Sequence, residues 1–342
     1  MPTYRLFSHQ AMVGLALLLA LWLLISHLLT SSTGMRPLSR AFQSHSKIMV
    51  LIWHWPFGKS LPLDGDVCAH YGVANCRLST NHSLLSQANV VVFHHHELQN
   101  GVVQLPLAHR PLGQPWVWTN LESPSNTHGL SRYHNIFNWV MTYRRDSDIF
   151  VPYGELVPRN GTAPPVPTKN LMAAWVISNY QRTQKRVVVY NQLSKYLQVD
   201  VFGRANRKPL CPDCLLPALA PYRFYLAFEN SQHQDYITEK LWRNALGAGV
   251  VPVVLGPPRS TYEAFLPPDS FVHVDDFSST KELAAFLKSM NTSHYQHFFA
   301  WREKLTVRLY SDWRERFCGI CARYPHLPQD QIYRNLEAWF KS

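Results

Sequence analysis

The segment from Tyr222 to Arg259 constrains the fold most strongly, because its pattern is that of one βαβ unit. Phe224 to Phe228 is a short apolar run typical of a buried parallel strand. A polar loop follows, and the next apolar spacing predicts a helix with Asp235 as its N-cap and Gly247 near its end. Val250 to Leu255 predicts the second strand. Because parallel strands need a crossover, the segment predicts an α/β fold with a doubly wound sheet.

The start of this predicted helix has the chemistry of a ligand site. Open α/β sheets bind ligands beyond the carboxyl ends of their strands, and Tyr236, Thr238, Glu239 and Lys240 fall at such a place. The free N–H groups of a helix start and the charge of Lys240 favour a diphosphate. Glu239 can accept hydrogen bonds from a ribose. On local pattern alone, an ordinary helix start with surface charges fits equally well.

The same segment resembles a family signature. The runs FYLAFENSQHQDYITEKLWRNAL, VPVVLGPPR and FVHVDDF are similar to the donor-binding signature of the animal α1,3-fucosyltransferases of glycosyltransferase family 10, and the likeness covers nearly all of the chain after residue 47. It implies an α/β fold of GT-B type, with two Rossmann-like domains and a cleft between them. It also implies transfer of fucose from GDP-fucose with inversion, with no metal required at the site and Mn²⁺ stimulation left open. The donor-binding residues that it implies are Asn230, Tyr236, Glu239 and Lys240.

Arg204 is a further predicted donor cation. It follows the strand pattern Val199 to Gly203, which would place its guanidinium at the same sheet edge as Lys240. Arginine offers paired donors that suit a phosphate. Most arginines in such loops are solvated, and the family resemblance favours diphosphate binding instead.

Glu122 is the predicted catalytic base. It follows the strand pattern Trp116 to Trp118, so it is expected at that strand's carboxyl end, facing the cleft. The surrounding run WVWTNLESPSNTHG is similar to the family's acceptor-domain block, whose Glu is the proposed base. An inverting transfer needs one such group to take the proton of the acceptor hydroxyl.

Three histidines mark the predicted acceptor region: His54, His94 and His95. Each follows a strand pattern of the N-terminal half, and His54 and His95 are rivals of Glu122 as the base. The string His94-His95-His96 also has the composition of a metal cluster. Consecutive residues at a strand end point to different sides, so a substrate-contacting or structural role is favoured.

Asp146-Ser147-Asp148 spells the DxD string with which GT-A glycosyltransferases hold Mn²⁺ and a nucleotide diphosphate. Two arginines precede the string and the donor signature lies far downstream, so we interpret it as part of a family block. A metal-dependent GT-A transferase remains the enzyme alternative, and a catalytically inactive Golgi lectin is the non-enzyme alternative. Asp146 and Asp148 are further rivals of Glu122.

Residues 11–29 form a run without a formal charge and predict a transmembrane signal-anchor. The apolar region of a cleaved signal peptide is shorter, usually ~7–15 residues. Residues 1–10 would then be a cytoplasmic tail and residues 30–47 a short stem. Because few charges flank the span, the positive-inside rule does not orient it.

Sequons and cysteines favour a lumenal body. Three N-glycosylation sequons begin at Asn81, Asn160 and Asn291. An even number of cysteines in a secretory protein favours disulfides, and local pairs are expected. These pairs are Cys68 with Cys76, Cys211 with Cys214, and Cys318 with Cys321. The two CxxC pairs lie much further apart than the ~15–20 residues typical of zinc ribbons. We therefore expect a single-pass type II membrane protein, and the family resemblance implies the Golgi membrane.

Composition and charge complete the prediction. A chain of 342 residues with 46% hydrophobic content is long enough for two domains. The Pro-rich linker 158–167 separates a predicted N-terminal acceptor-binding domain, 48–165, from a C-terminal GDP-fucose-binding domain, 168–342. The net charge of +11 favours an acidic partner, and no nucleic-acid recognition motif is present. The resemblance implies α2,3-sialylated N-acetyllactosamine on glycoproteins and glycolipids as the acceptor, giving sialyl Lewis x, a selectin ligand in leukocyte adhesion.

Overall fold

The computed structural model of the protein describes residues 47–342. The predicted cytoplasmic tail, the predicted transmembrane segment 11–29 and nearly all of the predicted stem lie outside the described residues. Within 47–342, no helix has the length and apolar character needed to cross a bilayer.

The first half of the described chain is built on a six-stranded parallel sheet. Its strands are β1 (Ile48–Ile52), β2 (Cys76–Ser79), β3 (Val90–His94), β4 (Trp116–Asn120), β5 (Trp139–Thr142) and β6 (Ile149–Phe150). They lie side by side in the order β2-β1-β3-β4-β5-β6, and every neighbouring pair is parallel. The central strands β3, β4 and β5 are buried throughout and mostly apolar, because both faces of the sheet are covered there.

The second half is built on a five-stranded parallel sheet. Its strands are β8 (Leu171–Val176), β9 (Val199–Phe202), β10 (Tyr222–Phe228), β11 (Val251–Leu255) and β12 (Val272–His273), in the order β12-β11-β10-β8-β9. All four pairings are parallel. In both sheets the first strand lies between the second and the third: β1 between β2 and β3, and β8 between β9 and β10. The predicted α/β fold with two parallel, Rossmann-like sheets is therefore confirmed.

A two-stranded antiparallel ribbon lies outside both sheets. It pairs β7 (Gly154–Pro158) with β13 (Leu305–Leu309). The predicted Pro-rich linker begins at the end of β7, and residues 159–170 form no helix or strand. The ribbon therefore holds the end of the first half against a late segment of the second.

The helices are short, and several contain only one or two turns. They are α1 (His95–Gln99), α2 (Lys185–Leu193), α3 (Leu215–Leu219), α4 (Arg259–Glu263), α5 (Thr280–Ser289), α6 (Thr292–His297), α7 (Trp313–Arg323) and α8 (Leu336–Lys341). A seven-residue π-helical segment, Lys240–Leu246, connects β10 to β11. Single 3₁₀ turns connect many of the other elements.

The βαβ unit has the predicted strands, but its helix begins later than predicted. Asp235 is not an N-cap: it adopts the left-handed conformation with φ of 56°. Its buried carboxylate accepts hydrogen bonds from the backbone N–H of Arg145 at 3.0 Å and from the Arg145 side chain at 3.2 Å. The regular helix starts only at Lys240. Asp235 thus connects the second half to the first instead of capping a helix.

The last two helices pack on the first sheet. Apolar side chains of α7 and α8 belong to the same buried cluster as β1, β3 and β4: Phe317, Ile320, Leu336 and Phe340. The sequence pattern placed residues 168–342 in a C-terminal domain. In the structure α7 and α8 instead return across that boundary and pack against the first sheet.

The disulfides differ from the predicted local pairs. Cys211 is bonded to Cys214 as expected, but Cys68 is bonded to Cys318 and Cys76 to Cys321. Cys318 and Cys321 lie one turn apart on α7, and both point from this helix towards the start of the first sheet. Local spacing could not reveal this, because it depends on where α7 packs.

All six cysteines are paired, so alkylation without reduction is expected to label no cysteine of the purified protein. Alkylation after reduction and denaturation should label six. Intact-protein mass spectrometry of both samples makes the comparison. Label on any cysteine of the folded, unreduced protein would contradict the pairing.

Candidate active site

A cavity of about 330 Å³ opens at the carboxyl edge of the first sheet. Glu122, two residues beyond the end of β4, lines it, and α7 contributes Trp313 and Arg316 to its wall. His94 and His95 line it too, at the end of β3. The polar groups predicted for the acceptor region are therefore placed around one cavity, apart from His54, which does not line it.

The loop after β4 is held by its own side chains. Asn120 accepts a hydrogen bond from the Glu122 backbone N–H and donates one to the Thr127 hydroxyl, which in turn donates to the Ser123 carbonyl. Ser123 is extended, with ψ of 157°, as expected for a residue that precedes a proline. These bonds fix the position of Glu122.

The Glu122 carboxylate is held at one oxygen only. Its Oε1 accepts hydrogen bonds from the Ser123 N–H at 2.7 Å and from Asn126 at 3.2 Å. From the second half, Tyr236 donates its hydroxyl at 2.7 Å and Asn230 its amide at 3.3 Å. No hydrogen bond from residues 47–342 reaches Oε2. One oxygen is thus anchored, and the other is left to accept a proton.

The charge state of Glu122 suits a base. Burial alone would raise the pKa of Glu122, but the hydrogen bonds donated by Ser123, Tyr236, Asn126 and Asn230 lower it by more, so the pKa falls below its ordinary value. The carboxylate is therefore ionised at neutral pH.

His95 is unsuitable as a base. Its Nδ1 accepts a hydrogen bond from the Trp118 indole at 3.1 Å, so Nε2 bears the proton and donates to the His128 carbonyl at 3.0 Å. Burial lowers the pKa of His95 to about 4. Both ring nitrogens are hydrogen-bonded within the protein, so neutral His95 has a structural role.

The other acceptor-region histidines also have protein partners. The His94 ring, 4% exposed, bonds through Nδ1 to Glu97 at 2.5 Å. His54 lies beside His82, with ring centroids 5.6 Å apart, and its pKa is lowered by burial and then by His82. Only the first of the three consecutive histidines ends a strand, because His95 begins α1.

The aspartates of the DxD string bind protein groups around the first sheet, among them Tyr333 from near the end of the chain. Arg144 holds Asp146 in a bidentate pair at 2.9 and 2.7 Å. Asp148 accepts hydrogen bonds from the Val140 N–H at 2.8 Å and the Tyr333 hydroxyl at 2.9 Å. Both carboxylates therefore have structural partners.

The predicted donor site differs in detail. Lys240 donates to Glu229 at 2.9 Å and to the Thr238 hydroxyl at 2.8 Å, and its ammonium lies 3.5 Å from Glu239. The Thr238 N–H also donates to Glu229 at 2.8 Å. The Thr238 N–H, one of the groups predicted to be free for a diphosphate, is thus already bonded to the Glu229 carboxylate, and Glu229 is 3% exposed.

Lys240 nevertheless remains a cation. Burial would lower the pKa of Lys240, but the carboxylates of Glu229 and Glu239 raise it by more. The Glu239 side chain is 43% exposed and so is open to a ligand. Lys240 and Glu239 stay predicted donor contacts.

Arg204 lies apart from this pair. It is exposed just after β9, the edge strand, which is separated from β10 by β8. Two strand spacings correspond to about 10 Å. Among residues 47–342 no side-chain hydrogen bond or ion pair of Arg204 occurs, so its guanidinium is free, and its role in diphosphate binding stays a prediction.

The sequence pattern did not reveal Arg186. This residue lies in the first turn of α2, directly after the β8 connection, and is only 5% exposed. Its guanidinium donates to the Gln184 side chain at 2.9 Å and to the Asn179 carbonyl at 2.6 Å. The strand order reverses between β8 and β10, which is where doubly wound sheets bind ligands. The signal in the sequence was an arginine at the start of a helix that follows a strand.

The charge environment of Arg186 connects it to the site. Burial lowers the pKa of Arg186, and the carboxylates of Glu229, Glu122 and Glu239 act in the opposite direction. Its guanidinium is therefore within electrostatic reach of both the predicted base and the predicted donor residues.

Comparison with known proteins identifies the family of the chain. A model described as "Fucosyltransferase, N-terminal" matches residues 45–154, and one described as "Glycosyltransferase family 10 (fucosyltransferase) C-term" matches residues 166–339. The chain belongs to glycosyltransferase family 10, the fucosyltransferases. The two matched regions correspond to the two sheets of this fucosyltransferase.

Individual relatives cover most or all of the chain. Alpha-(1,3)-fucosyltransferase 7 of Homo sapiens is 61% identical over 342 residues, covering 100% of this chain and 98% of that protein. The protein of the same name from Mus musculus is 61% identical, covering 100% of this chain and 86% of that protein. 4-Galactosyl-N-acetylglucosaminide 3-alpha-L-fucosyltransferase FUT5 of Homo sapiens is 45% identical, covering 88% and 82%.

Solved structures support the fold of this fucosyltransferase. A crystal structure of an alpha1,3-fucosyltransferase with GDP superposes with a TM-score of 0.54 at 16% identity, covering 86% of this chain and 94% of that one. Another with GDP-fucose gives a TM-score of 0.53 at 17% identity, covering 84% and 92%.

Hydrogen bonds join the two halves of this fucosyltransferase around Glu122. Besides the bonds from Asn230 and Tyr236, Ser125 lies 2.7 Å from His233 across the same boundary. Three predicted site residues from separate sequence blocks, Glu122, Asn230 and Tyr236, are thus brought together. Tyr236, predicted as a donor contact, donates its hydroxyl to the predicted base Glu122 in this structure.

Replacing Tyr236 with phenylalanine is expected to move the acidic limb of the kcat/KM profile to higher pH. The lost hydrogen bond lowered the pKa of Glu122, so without it the pKa rises, and the ionised base is lost sooner as pH falls. The kcat at neutral pH should fall about two- to tenfold, as for one ordinary hydrogen bond.

Tyr222→Phe is the matched control. It removes a hydroxyl that bonds to Asp200 at 2.7 Å, at the opposite end of β10 from the site. Its pH profile should match the wild type. An unshifted acidic limb in Tyr236→Phe would show that Tyr236 does not position the base.

Proposed function

We propose that this fucosyltransferase transfers fucose from GDP-fucose, with inversion, to O3 of N-acetylglucosamine in α2,3-sialylated N-acetyllactosamine. The product would be sialyl Lewis x, a selectin ligand used in leukocyte adhesion. The observation that supports the reaction best is the position of Glu122, with one oxygen bonded to the second half and the other free at a cavity. The identity of 61% to alpha-(1,3)-fucosyltransferase 7 supports the α1,3 linkage.

In this mechanism the acceptor sugar lies in the cavity with its hydroxyl at Glu122 Oε2. Glu122 takes the proton as the oxygen attacks the anomeric carbon of fucose, and GDP leaves from the opposite face. The transition state resembles an oxocarbenium ion. Negative charge grows on the diphosphate, and Arg186, Lys240 and Arg204 are the cations that could stabilise it. GDP-fucose is the co-substrate, and none of the roles proposed for these residues uses a metal ion.

The cellular setting is part of the proposal. Residues 11–29 would anchor a single-pass type II protein in the Golgi membrane, with the body in the lumen, where it would modify glycoproteins and glycolipids. Two observations support a secretory compartment: every cysteine among residues 47–342 is disulfide-bonded, and Asn81, Asn160 and Asn291 are all exposed. N-glycans at these asparagines are expected.

The proposal predicts selectivity for a sialylated acceptor. The purified full-length protein should fucosylate α2,3-sialylated N-acetyllactosamine with a higher kcat/KM than neutral N-acetyllactosamine at equal GDP-fucose concentration. Repeating both assays with EDTA tests the metal-dependent alternative, because a DxD enzyme would lose activity. Preference for the neutral sugar would contradict the acceptor assignment.

A further inference from the structure

The cavity beside Glu122 contains a buried cation with an unsatisfied donor. Arg316, on α7, is 6% exposed and donates through Nε and Nη2 to the Tyr310 carbonyl. Its Nη1 is buried and has no hydrogen-bond partner among the described residues. Leaving an N–H of a buried charged group without a hydrogen-bond partner costs free energy. A ligand that accepts a hydrogen bond from Nη1 would remove that cost.

The guanidinium is held in place by aromatic rings. It lies 5.1 Å from the Trp313 ring centroid and 5.8 Å from that of Tyr153, and both aromatic residues line the same cavity. Burial lowers the pKa of Arg316 to about 10, which leaves it protonated at neutral pH. Within residues 47–342 it makes no ion pair. No carboxylate of the described residues therefore lies within ion-pair distance of the Arg316 guanidinium, which lines the cavity.

A strained aromatic residue forms the rim of this cavity. Phe57 is 56% exposed and adopts φ of 58°, a conformation that costs free energy for a bulky side chain. Its ring lies 5.1 Å from that of His94 and 4.9 Å from that of His96. An exposed, fixed aromatic face beside a polar cavity suits the apolar face of a sugar ring.

We propose that this cavity binds an acidic acceptor glycan, with the sugar carboxylate on Arg316, a ring of the glycan on Phe57 and the reacting hydroxyl at Glu122. Arg316 Nη1 has no hydrogen-bond acceptor among the described residues. A planar carboxylate has oxygens that can accept hydrogen bonds from this side of the guanidinium. Arg316 is thereby the residue that selects a charged acceptor. The assignment rests on the proposed function and adds to it the group that recognises the acid.

The wild-type protein alone provides the first test. Its kcat/KM for α2,3-sialylated N-acetyllactosamine is compared with that for the methyl ester of the same glycan, which adds one methyl group and removes the charge. Losing a charge-assisted hydrogen bond should lower kcat/KM about tenfold to a hundredfold. Equal rates for acid and ester would overturn the carboxylate site while leaving the fucosyltransferase function intact. No transfer to either would instead contradict the proposed function.

Two variants assign the selectivity to Arg316. Arg316→Gln should reduce the ratio of kcat/KM for the acid to kcat/KM for the ester towards one. Arg316→Lys keeps the positive charge but loses the paired N–H donors of the guanidinium, so it should give an intermediate ratio. Arg316 also borders a second groove that Arg323 lines, so Arg323→Gln is the control and should keep the wild-type ratio. A wild-type ratio in both Arg316 variants, or an equal loss in Arg323→Gln, would overturn the assignment.

Discussion

Replacing Glu122 with glutamine is expected to lower kcat by about 10²–10⁴. The amide keeps the shape of the carboxylate, and its oxygen can still accept the hydrogen bonds from Ser123 and Tyr236. It cannot take the proton of the acceptor hydroxyl. The Kd for GDP and the melting temperature should therefore change little. Steady-state kinetics with saturating GDP-fucose, together with GDP titration, makes the measurement.

Asp146→Asn is the matched control for Glu122→Gln. Asp146 is a rival base from the sequence, but the structure pairs it with Arg144 in the first half. This variant should keep most of the wild-type kcat. If Glu122→Gln retains a tenth or more of the turnover, Glu122 is not the base, and the next residues to test are Asp148 and His54.

Replacing Lys240 with methionine is expected to impair both stability and donor binding. The ammonium neutralises Glu229, a buried carboxylate, and removing one partner of a buried pair lowers the free energy of unfolding by about 3–5 kcal/mol. If Lys240 also contacts the diphosphate, the Kd for GDP should rise about tenfold to a hundredfold. Thermal unfolding and GDP titration separate the two effects.

The double variant Lys240→Met with Glu229→Gln distinguishes these roles. Neutralising the stranded carboxylate should recover most of the lost melting temperature, because no uncompensated buried charge remains. GDP affinity should stay low. Recovery of wild-type GDP affinity in the double variant would show that Lys240 acts only by neutralising Glu229 and does not contact the donor.

The strands were predictable because their sequence signal is local. Val90 to Phe93 and Val250 to Leu255 are apolar runs bounded by polar or Gly-containing segments, and parallel strands buried on both faces have that pattern. The position of Glu122 followed from the same argument, since it comes just after such a run.

The helix start after β10 was not predictable from spacing alone. Asp235 has the residue type and position of an N-cap, yet its carboxylate binds Arg145, which is 90 residues earlier in the chain. Likewise, Glu229 appeared to be an ordinary loop residue. Its carboxylate accepts hydrogen bonds from Thr238 and Lys240, which lie 9 and 11 residues later in the chain. These contacts form only in the folded segment, so the sequence pattern does not show them.

Long-range packing accounts for the remaining differences. The predicted local pairs of Cys68 and Cys318 failed because α7 returns to the first sheet, bringing together residues 250 apart in sequence. Arg186 and Arg316 were overlooked for a related reason. Each resembles a helix-surface arginine in the sequence, and only the packed structure buries it beside the site.

The most direct test of the reaction is the identity of the product. The purified full-length protein is incubated with GDP-β-L-fucose and α2,3-sialylated N-acetyllactosamine, and the product is examined by NMR. The account predicts α-linked fucose on O3 of N-acetylglucosamine, which is inversion at the anomeric carbon. A β-linked product, fucose on another hydroxyl, or no transfer by folded, GDP-binding protein would contradict it.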